Sequence, residues 1–181
     1  MRTAAAPGSP SSAGREEDFA AAVAEMAACR ARVGVAARPD LAAEIAEPGA
    51  MPIMRRLAPG AWVVGDAESA VAVRPAAAGD AARSPGTRAV VLSVIGPRLR
   101  RLLRACGASV PPVGFAFRTT VGEVPAWVLT EDREHALVVV AAGDGDACRR
   151  ALEAAGGPLG CVWAGQTALR HLAAAHVLHL A

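Results

Sequence analysis

The carboxylates that could take part in chemistry cluster in two short segments. Residues 131–134 (EDRE) lie between two apolar runs, and Asp144 and Asp146 lie in the sequence GDGD. A turn between two strands is charged because it faces water, and such a turn can also lie at the rim of a pocket. An aspartate just before a helical pattern is typical of an N-cap. We therefore interpret Asp144 and Asp146 as capping residues and 131–134 as a turn.

Three histidines near the end of the chain raise the question of a metal site. His171, His176 and His179 include no pair at the i, i+4 spacing that places two ligands on one helical face, and no carboxylate stands beside them. The phosphate-binding, dinucleotide-binding, nucleophile-elbow and H-E-x-x-H signatures are all absent from the sequence. We expect no metal, and the common nucleotide, hydrolase and zinc-enzyme classes are not indicated.

The composition is that of a globular protein with nearly balanced charge. Of 181 residues, 53% are hydrophobic, and the formal net charge is +2. All basic side chains are arginine, alanine is abundant and tyrosine is absent, which is typical of a GC-rich genome and does not indicate a nucleic-acid partner. The four cysteines form no C-x-x-C pair, and no stretch reaches the roughly 20 apolar residues of a membrane span. We expect a cytoplasmic protein with reduced, buried thiols and no membrane partner.

The rest of the chain is organised around residues 87–106. The unbroken apolar run 89–95 predicts a strand buried on both faces, and Gly96 permits the turn into a helix. One face of that helix carries apolar residues at i, i+3, i+4 and i+7 spacing: Leu99, Leu102, Leu103 and Cys106. Its other face is arginine, which we interpret as a solvated face in preference to an anion-binding patch.

Two hairpins accompany this strand and helix. AWVV and SAVAV, joined by GDAE, form the first over 61–73, while AWVL (126–129) and ALVVV (136–140), joined by TEDREH, form the second. A strand near Arg118, a helix from about 144 to 155, a strand over 159–164 and a helix from 165 complete the pattern. The order predicts an α+β fold with helices packed on one side of a mainly antiparallel sheet.

Three segments are predicted along the chain. Residues 1–15 have the composition of a disordered tail. Residues 16–59 comprise a helix, with acids at its start and arginines at its end, and then a proline-broken arm whose only regular element is a short helix at 40–46. Residues 60–181 form the α+β domain.

Several motifs together resemble a known superfamily. VVLSVIGPRLRRLL, PVGFAF, VGEVPAWVL and ALVVVAA occur in this order, followed by a G-x-x-A-x-x-x-L pattern at Gly165, Ala168 and Leu172. The series is similar to the aminomethyltransferase superfamily, which includes the glycine-cleavage T-protein, the gamma subunit of heterotetrameric sarcosine oxidase and a folate-binding iron–sulfur maturation factor. The resemblance implies an aminomethyltransferase-like folate-binding fold over about residues 58–181. By length, the short gamma subunit is the better match.

The resemblance also implies candidate ligand residues for tetrahydrofolate. Folate-binding members carry a Y-T-G-E loop in the second hairpin, where this chain has TEDREH, so only Glu131 or Glu134 can replace that glutamate. Arg170 would pair with the pteridine or with the glutamate tail of folate. Trp127 or Trp163 would offer a stacking surface, although core packing explains both equally simply. The acidic residue that orients folate in the family has no counterpart here.

Two functions follow from this resemblance. The first is an accessory subunit like the sarcosine oxidase gamma chain, which packs on a larger flavin-dependent catalytic subunit of an oxidoreductase in folate-linked one-carbon and amine metabolism. The retained scaffold with altered ligand residues favours it, and the N-terminal helix and arm suit the wrapping of a partner. The alternative is a free-standing tetrahydrofolate-dependent aminomethyltransferase, in which a carboxylate at 131 or 134 steers a proton.

Overall fold

The computed structural model describes residues 12–46, 53–76 and 87–178. Four α-helices lie within these ranges: α1 (Ser12–Ala31), α2 (Leu99–Ala105), α3 (Gly145–Gly156) and α4 (Gln166–Leu178). Ten strands accompany them: β1 (Val33–Ala37), β2 (Leu41–Ala46), β3 (Ile53–Ala58), β4 (Ala61–Gly65), β5 (Ala70–Pro75), β6 (Thr87–Ile95), β7 (Ala116–Val121), β8 (Val124–Thr130), β9 (His135–Ala141) and β10 (Cys161–Trp163).

Strand β6 is shared by two parts of the sheet. One edge pairs with β9 from Ala89 to Ile95. The other edge pairs with β2 at its start and with β1 at its end. The main path of the sheet runs β3-β4-β5-β2-β6-β9-β8-β7, and β1 also pairs with β10. The predicted strand at the centre of the chain is therefore confirmed.

Strands β6, β8 and β9 are covered on both faces. On one face, Leu92, Val128 and Val138 join a core that includes the buried leucines of α2 and Leu152 of α3. On the other face, Leu129 and Val139 pack against strands β2, β4 and β5. This double burial explains why β9 carries an unbroken apolar run and no alternating polar residues.

Helices α1 and α4 pack together over strands β1 and β10. Their shared core contains Cys29 of α1 and Ala168 of α4, with Ala36 of β1. Gly34 is required because a Cβ there would collide with the Cys29 sulfur. Gly96 is required because its φ is +117° and a Cβ would collide with the Cys29 carbonyl oxygen. The backbone of the turn after β6 therefore lies in close contact with the backbone of α1.

The α+β class and the mainly antiparallel sheet are confirmed. The one parallel pair within the described ranges is β1 with β10. Helices α2 and α3 cover one face of the sheet, as expected. Helices α1 and α4 lie on the opposite face at its β1 end, an arrangement that the sequence did not indicate.

The prediction of a proline-broken arm is wrong for the described residues of 33–59. This segment contains β1, β2 and β3, and the short helix expected at 40–46 is strand β2. Backbone pairing with β5 and β6 overrides the weak local preference of LAAEIA. Pro39 and Pro59 lie in turns between strands, where proline is tolerated. Of the tail predicted over 1–15, residues 12–15 belong to α1, and the others lie outside the described residues.

Candidate functional site

Glu131 is a buried carboxylate at the end of β8. Its exposed fraction is 4%. Oε1 accepts hydrogen bonds from the Gly60 backbone N–H at 2.9 Å and from Trp62 Nε1 at 2.6 Å. Oε2 accepts one from Arg56 Nη2 at 2.5 Å. We call these four residues the Glu131 cluster, and it joins the 131–134 turn to the β3–β4 hairpin.

The three donors to Glu131 lie close together because they are neighbours on the β3–β4 hairpin. Arg56 of β3 lies opposite Trp62 of β4, so both side chains share the inner face of the hairpin. The Arg56 guanidinium lies 5.6 Å from the centre of the Trp62 ring, a cation–π contact. Gly60, with φ +72°, makes the turn between the two strands. The Glu131 cluster is thus built from neighbours on one short hairpin.

This geometry does not suit Glu131 as a ligand for tetrahydrofolate. A carboxylate accepts through two lone pairs on each oxygen, and Oε1 already receives two donors from the chain itself. Oε2 is bound to a charged guanidinium. Because Glu131 is only 4% exposed, a bound pteridine could reach the remaining lone pair of Oε2 only by displacing Arg56 or opening the hairpin. The Glu131 carboxylate therefore stabilises the contact between the 131–134 turn and the β3–β4 hairpin.

Glu134 and Arg170, the other predicted ionic residues, are both exposed. The Glu134 backbone N–H donates to Asp132 Oδ1 at 2.7 Å, and its carbonyl accepts from Gly96 at 2.7 Å. Arg170 lies on α4 near Asp40. Hydrogen bonding from Arg38 lowers the pKa of Asp40, and the charge of Arg170 adds a smaller lowering. Within the described residues, no hydrogen bond or ion pair links Glu131, Glu134 and Arg170 to one another.

Trp127 packs in the core. It is 6% exposed, and its Nε1 donates to Ser69 Oγ at 3.2 Å. One edge of the indole lines an open cleft of about 420 Å³, beside Met54, Phe117 and Arg118. Trp163 is half-buried on β10, with the Arg149 guanidinium 6.0 Å from its ring centre. Of the two tryptophans, only Trp127 lines this cleft.

A second polar group was not identified from the sequence. Arg38 Nη1 donates to Ser93 Oγ at 3.1 Å, and Ser93 Oγ lies 3.0 Å from His135 Nε2. Arg38 also holds Asp40 through two hydrogen bonds of 2.8 and 2.7 Å. The only sequence signal is a serine within the apolar run VVLSVI. Because Ser93 is fully buried in the sheet, this group ties β6 and β9 to the β1–β2 turn and offers no accessible nucleophile.

The cysteines are not nucleophiles either. Burial raises the pKa of Cys29 and of Cys106 to about 11, and that of Cys148 to about 12. Burial also raises the pKa of Cys161. A thiol is nucleophilic as its thiolate, so these side chains behave as small apolar residues. The described residues contain no cluster of three or more His, Cys, Asp or Glu that would hold a metal ion.

Comparison with solved structures defines the class of fold. A chain of the heterotetrameric sarcosine oxidase from Corynebacterium sp. U-96 superposes with a TM-score of 0.56 at 16% identity, covering 77% of this chain and 92% of that chain. The glycine cleavage system aminomethyltransferase T from Bartonella henselae superposes with a TM-score of 0.56 at 14% identity, covering 81% of this chain. The chain therefore has the aminomethyltransferase-like fold, as its motifs predict.

The two neighbours differ in length. The match covers only 52% of aminomethyltransferase T, so the chain spans about half of that protein. The match covers 77% of this chain and 92% of the sarcosine oxidase chain, so the sarcosine oxidase chain is the shorter of these two proteins. No protein-family model and no curated protein matches the sequence. No helix in the described ranges is long and apolar enough to cross a membrane.

Proposed function

We propose that this chain is an accessory subunit of an oxidoreductase in folate-linked amine and one-carbon metabolism. In this role it resembles the sarcosine oxidase gamma chain and packs on a larger flavin-dependent subunit without supplying catalytic groups. The observation that carries the proposal is the Glu131 cluster. Glu131, one of the two glutamates that could replace the folate-binding carboxylate of a transferase, is buried and hydrogen-bonded within the chain.

The match to a sarcosine oxidase chain supports the same role. The sarcosine oxidase neighbour is a chain of a heterotetramer and is matched over 92% of its length. Aminomethyltransferase T is matched over 52% of its length. A protein that keeps the fold without the convergent ligand residues fits a packing role better than a catalytic one. Tetrahydrofolate is then a ligand of the assembled complex, and no residue of this chain is assigned to it.

Co-purification tests the proposal directly. The tagged full chain is used to capture partners from an extract of its own cells, and the eluate is examined by size exclusion with flavin absorbance recorded. We expect co-elution in a fixed ratio with a flavin-containing subunit. A monodisperse monomer that captures no flavin-containing subunit would contradict the proposal.

A paired variant separates this role from the transferase alternative. Glu134→Gln combined with Arg170→Gln removes the exposed carboxylate and guanidinium that a free-standing transferase would use, and both side chains are exposed. The accessory role predicts an unchanged yield and activity of the complex. Tetrahydrofolate that quenches tryptophan fluorescence of the isolated chain, with quenching abolished in the double variant, would favour the transferase.

A further inference from the structure

Exposed apolar side chains concentrate at the two ends of the sheet. The main strand path ends at β3 and β7, and within the described ranges neither has a partner strand on its outer side. Six of the eight large apolar residues that are exposed lie on or just before these strands: Ile53, Met54, Leu57, Val113, Phe115 and Phe117. Proteins usually protect such edges with charge, proline or a covering segment, because free backbone groups attract another strand. An apolar edge of this kind is typical of a binding surface.

Strand β3 presents an alternating outer face. Ile53 is 40% exposed and Leu57 is 64% exposed, with the exposed Arg55 between them. Ile53 and Arg55 point away from the inner face that holds Arg56 and the Glu131 cluster, and Leu57 follows at the register shift between Arg56 and Ala58. Arg55 has no ion-pair partner among the described side chains. We call Ile53, Arg55 and Leu57 the β3 edge face.

The cleft extends this surface toward the other edge. Its lining includes Ile53 and Met54 from β3 and Phe117 and Arg118 from β7, with Trp127 beside them. Arg118 is already paired with Glu68, so its charge is compensated within the chain. The uncompensated cation on this surface is therefore Arg55. An extended segment lying along β3 would reach the apolar side chains of the cleft at the start of that strand.

We propose that an extended segment of a partner protein adds to β3 as a further strand. Opposite charges and apolar pairs stabilise directly opposed positions on neighbouring strands. The docking segment should therefore carry a carboxylate opposite Arg55 and apolar side chains two residues to either side, opposite Ile53 and Leu57. This inference rests on the proposed function for the existence of a partner, and it names how that partner is held.

A second copy of the chain does not fit this edge. In an antiparallel β3 pair centred on the middle of the strand, Arg55 or Arg56 of one copy would lie opposite an arginine of the other. Like charges directly opposite one another are destabilising. The central arginines thus disfavour self-association while leaving the edge open to an acidic strand.

A peptide of matching pattern tests the inference. The probe is a fluorescein-labelled peptide, SVTETVS, in which valines stand two residues before and after a glutamate. We expect saturable binding by fluorescence anisotropy, weakened about threefold to tenfold by Arg55→Glu because an attractive pair becomes repulsive. The peptide SVTKTVS should restore binding to that variant. Arg101→Glu is the matched control, since Arg101 is an exposed arginine on α2.

Backbone pairing is tested with N-methylated probes. A strand pairs through one edge, and the amides on that edge belong to alternate residues. Methylation of one alternate set should therefore abolish binding, and methylation of the other should preserve it. Equal loss or equal retention with both peptides would show that no strand is added, and absence of saturable binding at millimolar peptide would also overturn the inference.

Experiments on the complex distinguish failure of this inference from failure of the proposed function. If a flavoprotein co-purifies but amide hydrogen exchange over residues 53–58 is unchanged in the complex, the docking inference is wrong and the accessory role stands. If no flavoprotein co-purifies but the peptides behave as expected, the edge binds strands and the accessory role is wrong. A dimer in sedimentation experiments that protects the amides of residues 53–58 from hydrogen exchange would identify a second copy as the occupant and overturn the inference.

Discussion

Replacing Glu131 by glutamine should destabilise the protein strongly although the side chain keeps its shape. In the variant, the three hydrogen bonds to residue 131 have a neutral acceptor in place of a charged one. A hydrogen bond to a charged group stabilises a protein by roughly 1 kcal/mol more than a neutral hydrogen bond. The new amide group also meets the Arg56 guanidinium donor to donor. Arg56 is 34% exposed and can turn toward water, which limits that part of the loss. We expect a total cost of about 2 to 4 kcal/mol.

Thermal melting measures this cost. For a domain of this size, 1 kcal/mol shifts the melting temperature by about 2 to 4 °C, so we expect a decrease of about 5 to 15 °C. Glu134→Gln is the matched control because Glu134 is an exposed carboxylate in the same turn, and its effect should stay within about 0.5 kcal/mol. If Glu131→Gln melts together with Glu134→Gln, the Glu131 cluster does not hold the hairpin, and Glu131 is free to serve as a ligand.

Three further predictions concern the core. Leu102→Ala, at a fully buried position, should cost about 2 to 5 kcal/mol in denaturant unfolding, whereas Arg101→Glu on the same helix should change stability by less than about 0.5 kcal/mol; equal effects would show that the helix faces are misassigned. Gly96→Ala should melt well below Gly107→Ala, because both glycines have positive φ but only Gly96 faces backbone atoms, and equal melting would refute the collision with Cys29. Burial raises the pKa of Cys148 from 9.0 to about 12. Above about pH 9 the thiol of the unfolded chain ionises while the buried thiol stays protonated, so the free energy of unfolding should fall as pH rises. Chemical unfolding at pH 8 and 10 measures this loss, which should be smaller in Cys148→Ala; an identical pH dependence in that variant would exclude Cys148 as a cause.

Much of the chain from residue 61 onward was predictable because its patterns are local. The apolar run of β6, the leucine spacing of α2 and the two hairpins each reflect burial that adjacent residues reveal. Strands β1 to β3 were missed because their sequences are rich in alanine or arginine and interrupted by proline. Strands β1 and β2 pair with β5, β6 and β10, which are distant in sequence. Strand β3 pairs with the adjacent β4.

The candidate site shows the same division. The sequence identified Glu131 as a notable carboxylate, and the 131–134 turn lies where it was expected. Its donors could not be identified, because Trp62 and Arg56 precede it by 69 and 75 residues. Likewise, the contact between Arg38 and Ser93 spans 55 residues. A single sequence reports which residues are polar in an apolar setting, but their partners are set by the three-dimensional fold.

The pairing of β1 with β10 has a consequence for biosynthesis. Val33 lies beside Cys161, so β1 cannot complete this pairing until a strand 128 residues further along the chain has been synthesised. Until then, the apolar side of α1 has neither β10 nor α4 to cover it. Contacts of such long sequence separation form slowly, and nascent chains with uncovered apolar surface are prone to aggregate. A product of premature termination before residue 161 would therefore retain most of its sheet and still present an uncovered helix to the proteases and chaperones of the cell.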